Sequence, residues 1–135
     1  MQSITAQWYS KLLLDEVLSA MEKSTEISES LLNLVVNVCG EHAIPAFAIV
    51  DNVGVKRVSS PSKKVVYEVT GSKDAKYVCL KDELYCNCPS FANNVILKGS
   101  HWICKHLLAV SFASALNKVV IANESNEYIE RLLSF

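Results

Sequence analysis

No apolar run in the chain approaches the roughly 18 uninterrupted residues that cross a bilayer. Its opening residues, Met-Gln-Ser-Ile-Thr-Ala-Gln-Trp, lack both the basic stretch and the apolar core of a secretory signal. No internal repeat, low-complexity tract or linker interrupts the 135 residues. A nucleotide phosphate loop is missing too. Gly71-Ser72-Lys73 matches the end of one, but Val66 stands where its first glycine belongs, and the segment reads as a turn between strands. The adjacent carboxylates Asp15 and Glu16 fall on a predicted helix surface with nothing to act on. These absences predict an intracellular chain with no membrane contact, no small-molecule substrate and no enzymatic activity of its own.

What is present is an apolar chain with a divided charge. Half of the residues are hydrophobic and the mean hydropathy is +0.21, high for one compact domain of this length. Part of that apolar surface is expected to be covered by a partner chain. The net charge of −1 conceals an asymmetry. Residues 1–52 carry two lysines against seven carboxylates, a net of −5. Residues 53–118 carry ten basic residues against four acidic ones, a net of +6, and one arginine against three glutamates gives residues 119–135 a net of −2. A basic middle between acidic ends admits a polyanion partner. The residues singled out for nucleic acid are Lys56, Arg57, Lys63, Lys64, Lys98 and Lys105, with Tyr67, Tyr85, Phe91 and Trp102 as stacking groups. The plainer alternative makes the aromatics core and the lysines solvent-facing.

Hydrophobic periodicity predicts a single α+β domain. Ile4, Trp8, Leu12, Leu14, Val17, Leu18 and Met21 recur at helical spacing. A second helix starts near Ser28, buries Leu31, Leu32, Leu34, Val35 and Val38, and stops at Gly40. Pro45 suits the first turn of a short third helix. Residues 1–52 therefore read as an N-terminal helical layer. From residue 53 the period changes: Val53–Val58, Val65–Thr70, and Lys76–Leu80 with Leu84–Cys86 are β-rich segments separated by turn-like compositions. They predict a small antiparallel meander, with a helical turn at Phe91–Leu97 after it.

Residues 104–120 form the most apolar predicted helix, with no polar face. One side is expected to face the sheet and the other a second chain, with Leu108, Ala109, Phe112 and Leu116 as partner contacts. A short amphipathic helix, Glu124–Phe135, closes the chain. The expected divisions are thus 1–52, a metal-bearing module at 53–121, and 122–135.

The chemistry concentrates in two tight pairs. Four of the five cysteines lie between residues 79 and 104, a clustering that in a reducing compartment reads as metal binding rather than as disulfides. Cys86-Asn87-Cys88 and Cys104-Lys105-His106 are separated by residues 89–103 and supply three thiols and an imidazole, the ligand set of a tetrahedral structural zinc. Side chains two apart on an extended strand point to opposite faces, so Cys86 and Cys88 need a bend, which Asn87 and Pro89 can supply. Cys104 and His106 sit at a helix start, where the free amides favour a thiolate. A closed four-ligand site has no position for an activated water and predicts one structural Zn2+ joining the last strand to the apolar helix. A nucleophilic pairing of Cys104 with His106 has no third group to orient it. Cys79 as an alternative ligand reads better as a core thiol, and Cys39 as a helix-end core residue. His101 competes with His106 for the fourth position but reads more simply as a loop residue, and His42 as a surface one.

The pattern Cys86-x-Cys88, a gap, then Cys104-x-His106-x-x-Ala109 resembles the SWIM-type zinc finger. Ser60-Pro61-Ser62, Val66–Val69, Tyr85–Phe91 and Cys104–Val110 are further similar to the small SWIM-domain subunits of the Shu complex, over roughly residues 53–112. That resemblance implies a nuclear accessory factor in homologous recombination. It would pair with a RecA-like recombinase paralogue and promote recombinase filament assembly on single-stranded DNA, with zinc held by Cys86, Cys88, Cys104 and His106. The alternatives are a stand-alone nucleic-acid-binding zinc finger and a protein-interaction module of a ubiquitin ligase, although no RING-like second cluster is evident.

Overall fold

The computed structural model describes residues 4–24 and 26–134, with side chains from Tyr9 onward. Helix α1 (Ile4–Glu22) turns Leu14, Val17 and Met21 into the core, and Lys11 pairs with Asp15 one turn on at 2.7 Å. The side chains of Ile4 and Trp8, predicted to share that face, lie outside the described residues. Helix α2 (Glu29–Cys39) starts where Ser28 Oγ accepts the Leu31 N–H at 3.1 Å, and it ends at Gly40, whose φ of 74° needs no Cβ. A 3₁₀ turn leads into α3 (Ala43–Asp51), with Pro45 in its first turn. Residues 29–51 are together long and apolar enough, by length and composition alone, to cross a membrane. In this fold Val35, Ala43, Ala46, Ile49 and Val50 of that stretch are core residues.

Five strands follow: β1 (Val55–Ser59), β2 (Val65–Thr70), β3 (Lys76–Leu80), β4 (Tyr85–Cys86) and β5 (Val120–Asn123), in the order β4-β3-β2-β1-β5. The first four form the expected antiparallel meander. The sheet as a whole is mixed, because β5 lies parallel to β1, with Lys56 opposite Val120 and Ser59 opposite Asn123. This corrects the predicted helix over 104–120. Helix α4 runs only Lys105–Ala115; Asn117 then takes a left-handed φ of 56°, and the β-branched run Val119-Val120-Ile121 becomes an edge strand. The last helix, α5 (Asn126–Leu132), is capped by Ser125.

Strand alternation sends Val55, Tyr67, Val69, Cys79 and Cys86 to the face covered by the helices, and Val58, Val66 and Val78 to the face covered by Ile129 of α5. Gly54 sits at the seam between helical layer and sheet. Its N–H donates to Ile49 O, its carbonyl accepts from Thr70, and a Cβ there would lie 2.9 Å from both the Ile49 and Thr70 oxygens.

Helix α4 is covered by its own chain. Residues from His106 to Ala113 are all buried, packed by α1, α3 and the strands, with the Phe112 ring stacked on Phe47 at 4.4 Å. The expectation that one side of this helix meets a second chain is therefore corrected. Leu108, Ala109 and Phe112 are fully buried here, and of the four expected contacts only Leu116 reaches the surface. A helix with no polar face is satisfied by α1 and α3 on one side and the sheet on the other.

On the opposite sheet face the Tyr128 hydroxyl donates to Glu68 Oε1 at 2.5 Å, and Glu68 is otherwise approached by Lys56 at 3.9 Å. The Glu68 carboxylate beside it pushes the Tyr128 phenol up to about 12, helped by burial. A raised phenol pKa contributes stability that is complete below pH 10 and disappears as pH climbs through 12. Tyr128→Phe is expected to cost about 1 kcal/mol, a charge-assisted bond discounted for partial exposure. In an ultraviolet pH titration the absorbance lost with this variant should be the step near pH 12; a lost step near pH 10 would show that the bond does not form.

Candidate metal centre

Three segments bring the two pairs together. Cys86 is the last residue of β4, directly opposite Cys79 of β3. The bend required between Cys86 and Cys88 is built by Asn87, whose N–H donates to Val78 O at 3.2 Å while its Oδ1 accepts the Val78 N–H at 2.9 Å. Asn87 thus imitates one more strand residue while its neighbours turn inward. Pro89 opens a helical turn that continues as a π-helical segment, Phe91–Leu97, and the Phe91 N–H donates to Cys88 Sγ at 3.3 Å. Cys104 is the N-cap of α4, and His106 lies in its first turn.

One donor atom from each of Cys86, Cys88, Cys104 and His106 lies within 4.8 Å of the others, and all four residues are buried. Cys86 Sγ is 3.8 Å from His106 Nδ1. A tetrahedron on Zn–S and Zn–N bonds of about 2.3 and 2.0–2.1 Å has an S···N edge of about 3.6 Å, so the pocket is already the size of the ion. The proton balance points the same way. Donation from the Cys104 and Cys86 thiols holds Cys88 far below an ordinary thiol. Cys104 is pushed far above one by its hydrogen bonds with Cys86 and Cys88 and by burial. A divalent ion in this pocket would be held by all three sulfurs as thiolates. The residues fit one structural zinc, held by three thiolates and the Nδ1 of His106.

The residues supporting His106 were not legible beforehand. Its ring lies 4.3 Å from that of Tyr77, and its buried Nε2 has no hydrogen-bond partner among the described residues. A Cβ on Gly71 would come within 3.4 Å of that Nε2 and of Tyr77 Cε2. Gly71, set aside as a false phosphate loop, is thus the space into which the ligand histidine fits. Cys79 is fully buried beside Cys86 but outside the ligand set, in keeping with a core thiol. Cys39 is half-buried and its thiol is pushed up to about 11 by burial, which keeps it unreactive.

The other expected site residues scatter. Lys63 and Lys64 are exposed in the β1–β2 turn, Lys98 follows the π-helical segment, and Lys105 stands between two zinc ligands. Lys56 and Arg57 are neighbours on β1 and so project to opposite faces of the sheet. Tyr67 and Phe91 are buried, and Tyr85 meets Phe91 edge-on at 5.5 Å. His42 and His101, expected on the surface and in a solvent-facing loop, are instead half-buried with rings 4.7 Å apart, and His101 Nε2 lies 2.8 Å from Glu41 Oε1.

The Gly71 contact gives a graded test. Gly71→Ala should retain zinc, because 3.4 Å is ordinary contact. Gly71→Val should weaken binding about tenfold by displacing the His106 ring, as for other groups that orient a ligand. Chelator competition reads the difference, and equal affinities for the two variants would exclude the contact as a constraint.

No family model and no solved structure matches the chain. Curated proteins do. It is 37% identical over 121 residues to the mouse (Mus musculus) zinc finger SWIM domain-containing protein 7, a match covering 90% of this chain and 80% of the relative. The human protein of the same name is 34% identical over 90% of this chain and 86% of its own length. The Danio rerio protein is 31% identical over 90% and 87%. Built around a buried Cys3His cluster and matching these relatives over nine-tenths of its length, the chain belongs to the zinc finger SWIM domain-containing protein 7 family.

Proposed function

We propose that the chain is a non-enzymatic, zinc-stabilised accessory subunit that pairs with a RecA-like recombinase paralogue. In the nucleus, the pair promotes recombinase filament assembly on single-stranded DNA during homologous recombination repair. The observation that carries this reading is a groove of about 500 Å³ in which Ile27, Leu32, Ile44, Phe47 and Leu116 form an apolar floor and Ser24, Glu26, Asp51 and Lys118 a polar rim. Ile44 is 58% exposed beside it, an apolar side chain left for another chain to cover. The groove replaces the buried face of α4 as the partner contact, and Leu116 is the position common to both.

Two further features support the assignment. A ligand set closed by four side chains stabilises a surface rather than activating a water. The missing phosphate loop leaves nucleotide chemistry to the partner, as the resemblance to the small Shu-complex subunits implies. DNA is met through the complex in this reading, since the basic residues of this chain are spread over a turn, a loop and two faces of a strand.

Co-purification with the partner tests both halves. Ile44→Glu should abolish partner binding at unchanged zinc content, whereas Cys104→Ser should lose zinc and partner together. A Cys104→Ser chain that lacks zinc yet stays folded and partner-bound would overturn the structural role of the metal. The isolated chain should bind single-stranded DNA weakly, with a shallow dependence of log K on log salt. A slope near the −4 or so expected for six phosphate contacts would favour the stand-alone nucleic-acid-binding finger instead.

A further inference from the structure

Outside the buried cluster, a second group of ligating side chains converges. Glu41 and His42 lie in the turn between α2 and α3, and His101 lies in the loop before α4, some sixty residues away. One donor atom from each falls within 4.8 Å of the other two. His42 Nε2 is buried and makes no hydrogen bond among the described residues, an unusual state for an imidazole at the edge of a protein. The His101 ring is held at both nitrogens: Nε2 against Glu41 Oε1 at 2.8 Å, and Nδ1 at 3.3 Å from Ser100 Oγ. A cavity of about 330 Å³, lined in part by Glu41, His42, Cys104 and His106, opens alongside.

Two imidazoles and one carboxylate are the three-ligand set that holds zinc with a fourth position open. From this juxtaposition we propose that Glu41, His42 and His101 form a second, exchangeable site for a zinc-class divalent ion, clipping the loop before α4 to the corner between α2 and α3. On binding, the ion replaces the proton shared by His101 Nε2 and Glu41 Oε1, which leaves to solvent. Ser100 Oγ donates to Asn94 O at 3.3 Å and so has lone pairs to accept from His101 Nδ1, the partner that a ring ligating through Nε2 needs. Imidazole and carboxylate donors, partly exposed, bind less tightly than three buried thiolates, so the two sites differ in exchange.

The test uses the full chain with its buried site loaded. Under excess zinc the wild type should hold two ions per chain, one of which a mild chelator removes. Glu41→Gln, His42→Gln and His101→Asn should each hold one tightly bound ion and lose the exchangeable one. Cobalt substitution separates the sites, since only the thiolate cluster gives a sulfur-to-metal charge-transfer band, and that band also certifies that each variant has folded. Glu41 is the safest position, its side chain being 73% exposed. One ion per wild-type chain under excess zinc overturns the proposal, as does a second ion that persists in all three variants.

Discussion

Strand β4 is two residues long, and the eighteen positions after it reach α4 through a bend, a π-helical segment and a loop. Asn87 bonds back to Val78 and His101 reaches Glu41, but outside the Cys3His cluster the other hydrogen bonds of residues 87–103 run within that stretch and do not fasten β4 to α4. What does so is the meeting of Cys86, Cys88, Cys104 and His106. Apparent zinc affinities on the order of 10–16 kcal/mol in such sites are folding free energy, and they match or exceed the roughly 5–15 kcal/mol that stabilises a whole domain. The metal therefore decides whether the end of the sheet and the start of α4 are joined at all. Everything packed against α4, including the stacked Phe47–Phe112 pair, inherits that dependence.

The ligands were legible in the sequence because short-range spacing and residue chemistry both identify them. The helical layer and the meander were legible for a similar reason: Leu14, Val17 and Met21 repeat at helical spacing, and Val65–Thr70 is a β-branched run. Strand β5 was not. Val119-Val120-Ile121 continues the apolar character of α4 without a break, and only the left-handed turn at Asn117 separates the two. Its pairing with β1 joins residues more than sixty positions apart, which no local pattern encodes. The same limit hid the contact between His101 and Glu41, and the role of Gly71 beside His106.

Burial of α4 changes what the apolar composition means. An uninterrupted hydrophobic helix suggested a missing partner, but α1, α3 and the sheet cover it. The high hydropathy has a second source as well, since both faces of the sheet are covered and each requires an apolar layer. What remains unpaired is elsewhere: Leu97 is 74% exposed, Ile121 61% and Ile44 58%. These lie at the end of the π-helical segment, on the edge strand and in the wall of the groove. The apolar composition expected to form partner surface is in large part the chain's own core, with α4 at its centre.

Under the proposed function, the burial of α4 alters how the metal would act on a partner. If α4 itself were the interface, zinc would shape the contact surface directly, since Cys104 and His106 begin that helix. With α4 enclosed, its surface contribution comes at its far end, where Leu116 lines the groove with Ile44 and Phe47 of the helical layer. Zinc then acts by holding the helix in place so that two layers of the fold form one wall of the groove. Losing the ion would loosen both layers together. Replacing a residue such as Ile44 alters the wall without touching the joint, so the two kinds of change report on separate links between sequence and function.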